Sequence, residues 1–176
     1  NVTLYAHWTN VNYTLTINPN GGIWNNTTSN STKTGTTNST LSIANPTPPK
    51  GYTVSFNTNG GSSLSSITST KSFSGWSNSG SGSISGTTYT FGAGNGTLTA
   101  NYKNNSVNLP TPTKSGYTFD GWYTQSSGGT KVSNTYTPTV NTTLYAHWNA
   151  NSYTLTINPN GGTWNNTTSN STKTGT

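Results

Sequence analysis

The chain has 176 residues, of which 26% are hydrophobic and only 5% are charged, and its net charge is +6. It contains no Cys that could form a disulfide, and no run of about 18 apolar residues that would predict a membrane span. Its seven Lys are scattered and it has no Arg, which argues against the clustered basic face of a nucleic-acid-binding protein. Abundant Thr and 11% aromatic residues predict a mainly β fold with a thin core and polar outer faces.

The two ends of the chain are copies of each other. When Asn1 is placed on Asn141, 36 residues align and 30 of them are identical. This offset of 140 residues predicts a tandem array, of which the chain spans one period and the start of the next. Residues 1–8 alternate apolar and polar side chains, so they are predicted to be the last strand of a preceding repeat. Residues 152–176 are predicted to begin the following one.

The first strand within the period is predicted over residues 13–17, where apolar side chains alternate with Thr. The Asn-Pro-Asn-Gly-Gly sequence at 18–22 predicts a tight turn, because Asn and Gly adopt positive φ readily. Residues 25–40 are almost all Asn, Thr, Ser and Gly. We expect a loop or an edge hairpin there, anchored by Trp24.

Three kinds of short motif each occur twice within one period. A start motif lies at 13–22 and 52–61, a Gly-Trp motif at 73–76 and 119–122, and an end motif at 97–102 and 143–148. Their order along the chain is start, start, Gly-Trp, end, Gly-Trp, end. No stretch shows the i, i+3, i+4 apolar spacing of a helix, so the chain is predicted to be mainly β.

This order leaves two domain arrangements open, built on a first β module at 12–103 and a second at 104–148. In the nested arrangement an inner unit, 52–102, is inserted into an outer one, and strand 13–17 pairs near the second Gly-Trp or end motif. In the sequential arrangement the modules are adjacent, and residues 153–158 supply a strand to the second. The contacts of strand 13–17 distinguish the two arrangements.

Several motifs taken together resemble the Listeria–Bacteroides repeat, the B-repeat module of internalin-type surface proteins. The residues that carry the resemblance are 117–124, 128–131 and 143–148, with 110–114 before them and 153–162 after them. The match over 52–102 is weaker, because no Tyr follows Trp76. The resemblance implies tandem, small β-grasp-like modules on secreted or wall-attached bacterial proteins, with stalk, adhesion or matrix roles and no enzyme activity. Family members often carry charges where this chain has Thr, Ser and Asn.

Residues suited to catalysis or metal binding are scarce. Asp120 is the only acidic residue, which excludes catalysis by a carboxylate pair, and no nucleophile-elbow sequence supports a Ser-His-Asp triad. His7 and His147 are copies of one repeat position, and a metal site needs further ligands. We therefore expect a non-enzymatic protein without metal or cofactor. A Lys–Asn amide crosslink with Asp120 as proton shuttle is an alternative use of this lone acid.

Two further kinds of candidate site are modification sequons and exposed aromatics. The Asn-x-Ser/Thr sequons, which glycosylation could use to solubilise a weakly charged chain, are centred on Asn25, Asn26, Asn30, Asn38, Asn95, Asn104 and Asn141, besides Asn1, Asn12 and the recurring Asn165, Asn166 and Asn170. Most aromatic residues are expected in the core, because aliphatic residues are few. Tyr123 and Tyr145 oppose the apolar face and are the ligand-binding candidates.

These features predict a structural repeat region of a secreted or cell-surface bacterial protein that forms an extended stalk or a self-assembled extracellular filament. Its expected partners are neighbouring repeats of the same chain, other copies of itself, and host or environmental glycans. The short linker between the end motif and the next start, residues 149–152, restricts rotation as a stiff fibre requires. The alternative is a carbohydrate-binding adhesin module that uses exposed aromatic residues.

Overall fold

The computed structural model describes all residues, 1–176, and its only regular elements are β-strands, which confirms the mainly β prediction. The first eight strands are β1 (Asn12–Asn18), β2 (Ser31–Thr36), β3 (Thr40–Ser42), β4 (Thr53–Asn57), β5 (Ile67–Thr68), β6 (Lys71–Gly80), β7 (Ser83–Ser85) and β8 (Thr88–Thr90). The others are β9 (Gly96–Asn104), β10 (Val107–Asn108), β11 (Tyr117–Tyr123), β12 (Thr135–Tyr136), β13 (Thr142–Ala150), β14 (Tyr153–Ile157) and β15 (Ser171–Gly175). The structure contains no helix that is long and apolar enough to cross a membrane.

The chain folds into two compact units, and each is built from two separate stretches of sequence. Unit 1 comprises residues 1–51 and 69–105, and unit 2 comprises residues 52–68 and 106–176. The chain therefore passes from one unit to the other three times.

Unit 1 is organised by a four-stranded sheet in the order β2-β1-β9-β6. β1 pairs antiparallel with β2 on one side and parallel with β9 on the other, and β9 pairs antiparallel with β6. A three-stranded sheet, β3-β8-β7, belongs to the same unit. The apolar face of β1 enters a buried cluster, whose members are Leu15, Ile17, Trp24, Ile43, Tyr89, Phe91 and Leu98.

Unit 2 repeats this plan with a four-stranded sheet in the order β11-β13-β4-β5. β13 pairs parallel with β4 and antiparallel with β11, and a small β10-β12 pair lies in the same unit. Its buried cluster consists of Val54, Leu109, Trp122, Leu144 and Ala146.

The two sheets match strand by strand, since β1, β9 and β6 correspond to β4, β13 and β11. The Gly-Trp strands share a register shift, which falls between Phe73 and Gly75 in β6 and between Phe119 and Gly121 in β11. Such a shift marks a β-bulge, which Gly accommodates because its φ is free of a Cβ clash. Both start motifs thus carry the first strand of a unit, and the segments of the two units alternate along the chain.

Both predicted ways of completing the second module are corrected by this arrangement. β1 pairs with β2 and β9, both inside its own unit, and not with the second Gly-Trp or end motif. The strand that completes β13 is β4, not 13–17 or 153–158, so the units are interleaved and neither nested nor sequential. The reason is that alternation fixes which face of a strand is buried but not its partner, and all start motifs alternate alike.

The repeated ends of the chain behave differently from their internal copies. Residues 1–8, predicted to be the last strand of a preceding repeat, form no strand within this chain, and Leu4 and Trp8 are exposed. Residues 153–176 form a hairpin in which β14 pairs only with β15. Of residues 25–40, expected to be a loop or an edge hairpin, 25–30 form a turn and 31–36 form edge strand β2, which pairs with β1; Trp24 is buried as expected.

Candidate functional site

The bulge in β11 gathers most of the polar chemistry of unit 2. Asp120 occupies the extra position of the bulge, between two residues that keep their pairing with β13. Its Oδ2 accepts a hydrogen bond of 2.5 Å from the Tyr123 hydroxyl, and its Oδ1 accepts one of 3.1 Å from Lys131 Nζ. Gly121 follows with a φ of 154°. Because Gly121 has no Cβ, the Lys131 side chain can pack against it, where a Cβ would clash.

These contacts fix the charge of Asp120. The Tyr123 hydroxyl and Lys131 hold the pKa of Asp120 below its ordinary value, because both stabilise the carboxylate. The same hydrogen bond raises the pKa of Tyr123, since ionising that hydroxyl would remove the donor. Asp120 is therefore a stable anion near neutral pH, and this suits a structural ion pair better than proton transfer.

The two tyrosines predicted as ligand-binding candidates lie opposite each other on paired strands, in register between β11 and β13. The ring of Tyr123 stacks on His147, with centroids 3.9 Å apart and an angle of 9° between the planes. His147 Nε2 in turn lies 3.0 Å from the Gln125 carbonyl, which can only accept. One face and the hydroxyl of Tyr123 are therefore already engaged, and Tyr145 is half-buried.

A cleft of about 390 Å³, lined in part by His147, lies in the same unit. Its lining residues are Asn59, Lys114, Tyr117, Ser126, Ser127, Gly128, Ala146, His147 and Trp148. Lys114 Nζ donates to the Asn59 carbonyl at 3.0 Å and lies 4.3 Å from the centre of the Tyr117 ring. Tyr117 is 41% exposed and Ser126 and Ser127 are exposed, so part of an aromatic ring and two Ser hydroxyls are accessible there.

Sequence reasoning missed this cleft. The only signal was that Lys114 and Tyr117 both belong to the motifs that carry the family resemblance. Their approach to Asn59 depends on the pairing of β4 with β13, because β4 brings the turn at 57–61 beside Ala146 in the middle of β13. That pairing was not predicted.

The remaining chemical candidates are dispersed. His7 is exposed and lies in the first repeat copy, and the chain has no group of three or more His, Cys, Asp or Glu that could hold a metal ion. For the Lys–Asn crosslink the geometry is unfavourable, since the Lys beside Asp120 is Lys131, whose side chain is half exposed and bonds to the acid itself.

The sequons fall into two structural classes. Asn25, Asn26, Asn30 and Asn38 are exposed, and all of these but Asn30 adopt a positive φ, which Asn tolerates in turns. Asn95 and Asn141 are exposed too, but their Oδ1 atoms accept hydrogen bonds from the backbone N–H groups of Thr14 and Thr53. Asn104 is half-buried at the end of β9. The first class is the more open to modification.

The region that matches known proteins contains most of the motifs that carry the resemblance. Residues 88–147 match the Listeria-Bacteroides repeat domain, which confirms that resemblance. Over 61 residues the chain is 46% identical to Internalin H of Listeria monocytogenes; this covers 33% of the chain and 11% of that relative. No solved structure matches the chain. The matched residues run from β8 to β13 and omit β4, the parallel partner of β13.

Proposed function

We propose that this chain is a non-catalytic structural repeat segment of a secreted or cell-surface bacterial protein, whose repeats form an extended extracellular stalk. Support comes from the repeat-domain match and the similarity to part of an internalin. The observation that carries the proposal is the reuse of one plan: β1 with β9, and β4 with β13, pair in parallel in equivalent register. We propose further that each unit is β-grasp-like and recurs with the 140-residue period.

The parallel pairs suit a protein under tension. The chain enters unit 1 on β1 and makes its last exit from it after β9; it enters unit 2 on β4 and leaves the sheet after β13. Opposed forces on the outer ends of two parallel neighbours pull along the strands. All interstrand hydrogen bonds then resist together, whereas an antiparallel pair pulled from one end opens bond by bond.

Interleaving gives such a stalk a second property. If unit 1 opened while unit 2 stayed folded, only residues 12–51 would be released to the pulling force, because 69–105 would remain a slack loop. If unit 2 opened first, residues 106–150 would be released. Either event frees about 40 to 45 residues, or ~15 nm at ~3.5 Å per residue. Sequential modules would release about 90 residues for the larger one, or ~32 nm.

Single-molecule force spectroscopy tests this role. The chain has no Cys, so a pair of introduced cysteines defines the pulling points. Handles at Asn12→Cys and Lys103→Cys shear β1 against β9, and handles at Ser72→Cys and Lys103→Cys unzip β6 from β9, since Ser72 and Lys103 are paired. We expect a clearly higher rupture force for the first pair. Equal forces for the two geometries would overturn the load-bearing role.

How the repeats are joined is a separate part of the proposal. Edge strands β2 and β6 carry Lys33 and Lys71, and lysine on a sheet edge disfavours pairing with another chain. We therefore favour one covalent chain over filaments formed by strand addition between chains. Sedimentation over a range of concentrations checks this: a constant monomer mass supports it, and growth into filaments supports the self-assembled alternative.

A carbohydrate-binding adhesin module is the second candidate function, and the cleft beside His147 favours it. An accessible Tyr ring, a Lys and several hydroxyls are the groups that saccharide sites combine. We expect oligosaccharide binding by the full chain to be lost in Tyr117→Ala and kept in Tyr153→Ala, whose ring is exposed outside the cleft. Binding that survives Tyr117→Ala but not Tyr123→Ala or Tyr145→Ala would instead place the site on the outer sheet face.

A further inference from the structure

Residues 153–176 carry an apolar face that nothing in this chain covers. They are identical to residues 13–36 at 23 of 24 positions. Leu155 is 63% exposed and Trp164 is 46% exposed, whereas their counterparts Leu15 and Trp24 are 0% and 6% exposed. An open cleft of about 510 Å³ lies on this hairpin, lined by residues of both its strands, 153–155 and 173–176.

The internal copy shows what such a hairpin binds. In unit 1, β9 lies parallel to β1 with Ile17 opposite Leu98. Asn20 Nδ2 donates to the Ala100 carbonyl at 3.0 Å, and the Tyr102 hydroxyl donates to the Pro19 carbonyl at 2.7 Å. All of these partners come from residues 37–104, which follow the hairpin in sequence.

We propose that hairpin 153–176 is a docking surface for a further copy of residues 37–104 carried on the same chain, which would pair with β14 in the register that β9 adopts against β1. Each unit 1 of an array would then be closed by strands that follow its hairpin, and every repeat boundary would lie directly before such a hairpin. This inference rests on the proposed repeat function and adds the contact surface and its partner.

A second chain is a poorer occupant of this surface. Its own β9 already has β1 on one edge and β6 on the other, so neither edge is open. Exchange of hairpins between chains would cover one hairpin only by exposing an identical one, with no net gain of buried apolar area. A copy in cis carries no such penalty, because it is tethered to the hairpin by the same chain.

The opposite end of the chain supports the same reasoning. Residues 1–8 copy residues 141–148, which lie within or directly beside β13. Leu4 is 89% exposed, while its counterpart Leu144 is 0% exposed and packed in unit 2. A preceding copy of β4 and β11 would cover residues 1–8, as β4 and β11 cover β13.

Thiol labelling tests the proposal, because the chain has no cysteine of its own. The test protein is the full chain extended after Thr176 by a copy of residues 37–150. Leu155→Cys reports on the hairpin, and Leu15→Cys is the matched buried control. We expect Leu155→Cys to label rapidly in the unextended chain and at least about 100-fold more slowly in the extended one, as its site becomes protected by a stable fold.

A second measurement and a control variant keep the test decisive. The part of the acrylamide quenching that Trp164→Phe removes from the Cys-free chains should decrease on extension, as Trp164 becomes buried. Leu98→Asp placed only in the appended copy should restore rapid labelling, because a charge would enter the new core.

Three outcomes are distinguishable. Rapid labelling of Leu155→Cys in a folded, extended chain overturns the inference. It does not bear on the mechanical role of the parallel pairs, which the force measurement tests separately. If Leu155→Cys in the unextended chain becomes protected from labelling as the protein concentration rises, the occupant is a second chain, and the inference is also overturned. Slow labelling together with equal shear and unzipping forces would support the docking surface and reject the load-bearing role.

Discussion

This chain contains two nearly identical hairpins, 13–36 and 153–176, which have the same local structure. The first is packed against other strands of its unit, whereas the second is exposed. Both pair their strands in the same register, from Tyr13 opposite Gly35 and from Tyr153 opposite Gly175. Both have the same isolated bridge next to the turn, between the Trp and the Thr three residues later. Yet β1 is embedded in a four-stranded sheet and β14 has a single neighbour.

The comparison separates what the hairpin sequence specifies from what its neighbours supply. Register, turn and left-handed Asn conformations belong to the local sequence, since Asn20 and Asn160 both have a φ of 49°. Burial belongs to the partner strands, because the same Leu is fully buried in one copy and exposed in the other. The following experiments challenge this separation, beginning with the largest expected effect.

The first prediction concerns the central Leu of each hairpin. Leu15→Ala should lower the free energy of unfolding by about 3–5 kcal/mol, because it leaves a cavity in the core of unit 1. Leu155→Ala should change it by less than about 0.5 kcal/mol, since that side chain is exposed. Urea unfolding followed by tryptophan fluorescence measures both values. Similar losses for the two variants would mean that hairpin 153–176 is buried in solution.

The second prediction concerns the two tryptophans. The Trp24 indole N–H donates to the Ala44 carbonyl at 2.9 Å in a buried setting. Trp24→Phe should therefore cost about 1–3 kcal/mol, by lost packing and an unpaired carbonyl. Trp164→Phe removes a half-exposed ring and should cost less than about 0.5 kcal/mol. Thermal unfolding of the matched variants gives the ranking, and a reversed order would contradict the assignment of Trp24 as the anchor.

The third prediction isolates one long-range hydrogen bond. Asn20→Gly keeps the positive φ of the turn but removes the bond from Nδ2 to the Ala100 carbonyl, so we expect a loss of about 0.5–1.5 kcal/mol. Asn160→Gly makes the same backbone change where β14 has no parallel neighbour, and is the control. The difference between the two free energies measures the bond to β9. Equal values would show that the turn alone determines the effect.

The strands themselves could be predicted from sequence because their signals are local. Alternating apolar residues at 13–17 and 142–148, and Asn-Gly turns after the start motifs, identify strands and their buried faces. Which strands pair with each other could not be predicted, since a parallel pair such as β1 and β9 joins residues about 80 apart in sequence and needs a long crossover. Near-identical start motifs made several pairings equally plausible.

The candidate site was predictable only in part, for the same physical reason. Alternation placed Tyr123 and Tyr145 on the polar face, and the structure puts them opposite each other there. The stacking of Tyr123 on His147 depends on the bulge at Asp120, which shifts the register of the paired strands. A bulge of this kind has no signal in the alternation beyond a Gly in the strand.

The last and smallest prediction uses the one acidic side chain to perturb the β11–β13 pair of unit 2 without touching either hairpin. The pKa of Asp120 is held below its ordinary value of 3.8 by Tyr123 and Lys131. A depressed folded-state pKa contributes stability above the unfolded-state value, and that contribution is lost as pH falls through the folded-state pKa. Unfolding stability should therefore decline modestly from pH 5 to pH 2.

Asp120→Asn should remove this decline while lowering stability slightly at pH 5, because the amide cannot form the ion pair with Lys131. Ser74 occupies the matching bulge position in unit 1, so Ser74→Ala is the control and should keep the wild-type pH dependence. Urea midpoints at the two pH values measure both effects. An unchanged decline in Asp120→Asn would mean that another group titrates with folding. The pH dependence between pH 5 and pH 2 would then no longer separate the β11–β13 pair from the hairpins, neither of which contains a carboxylate side chain.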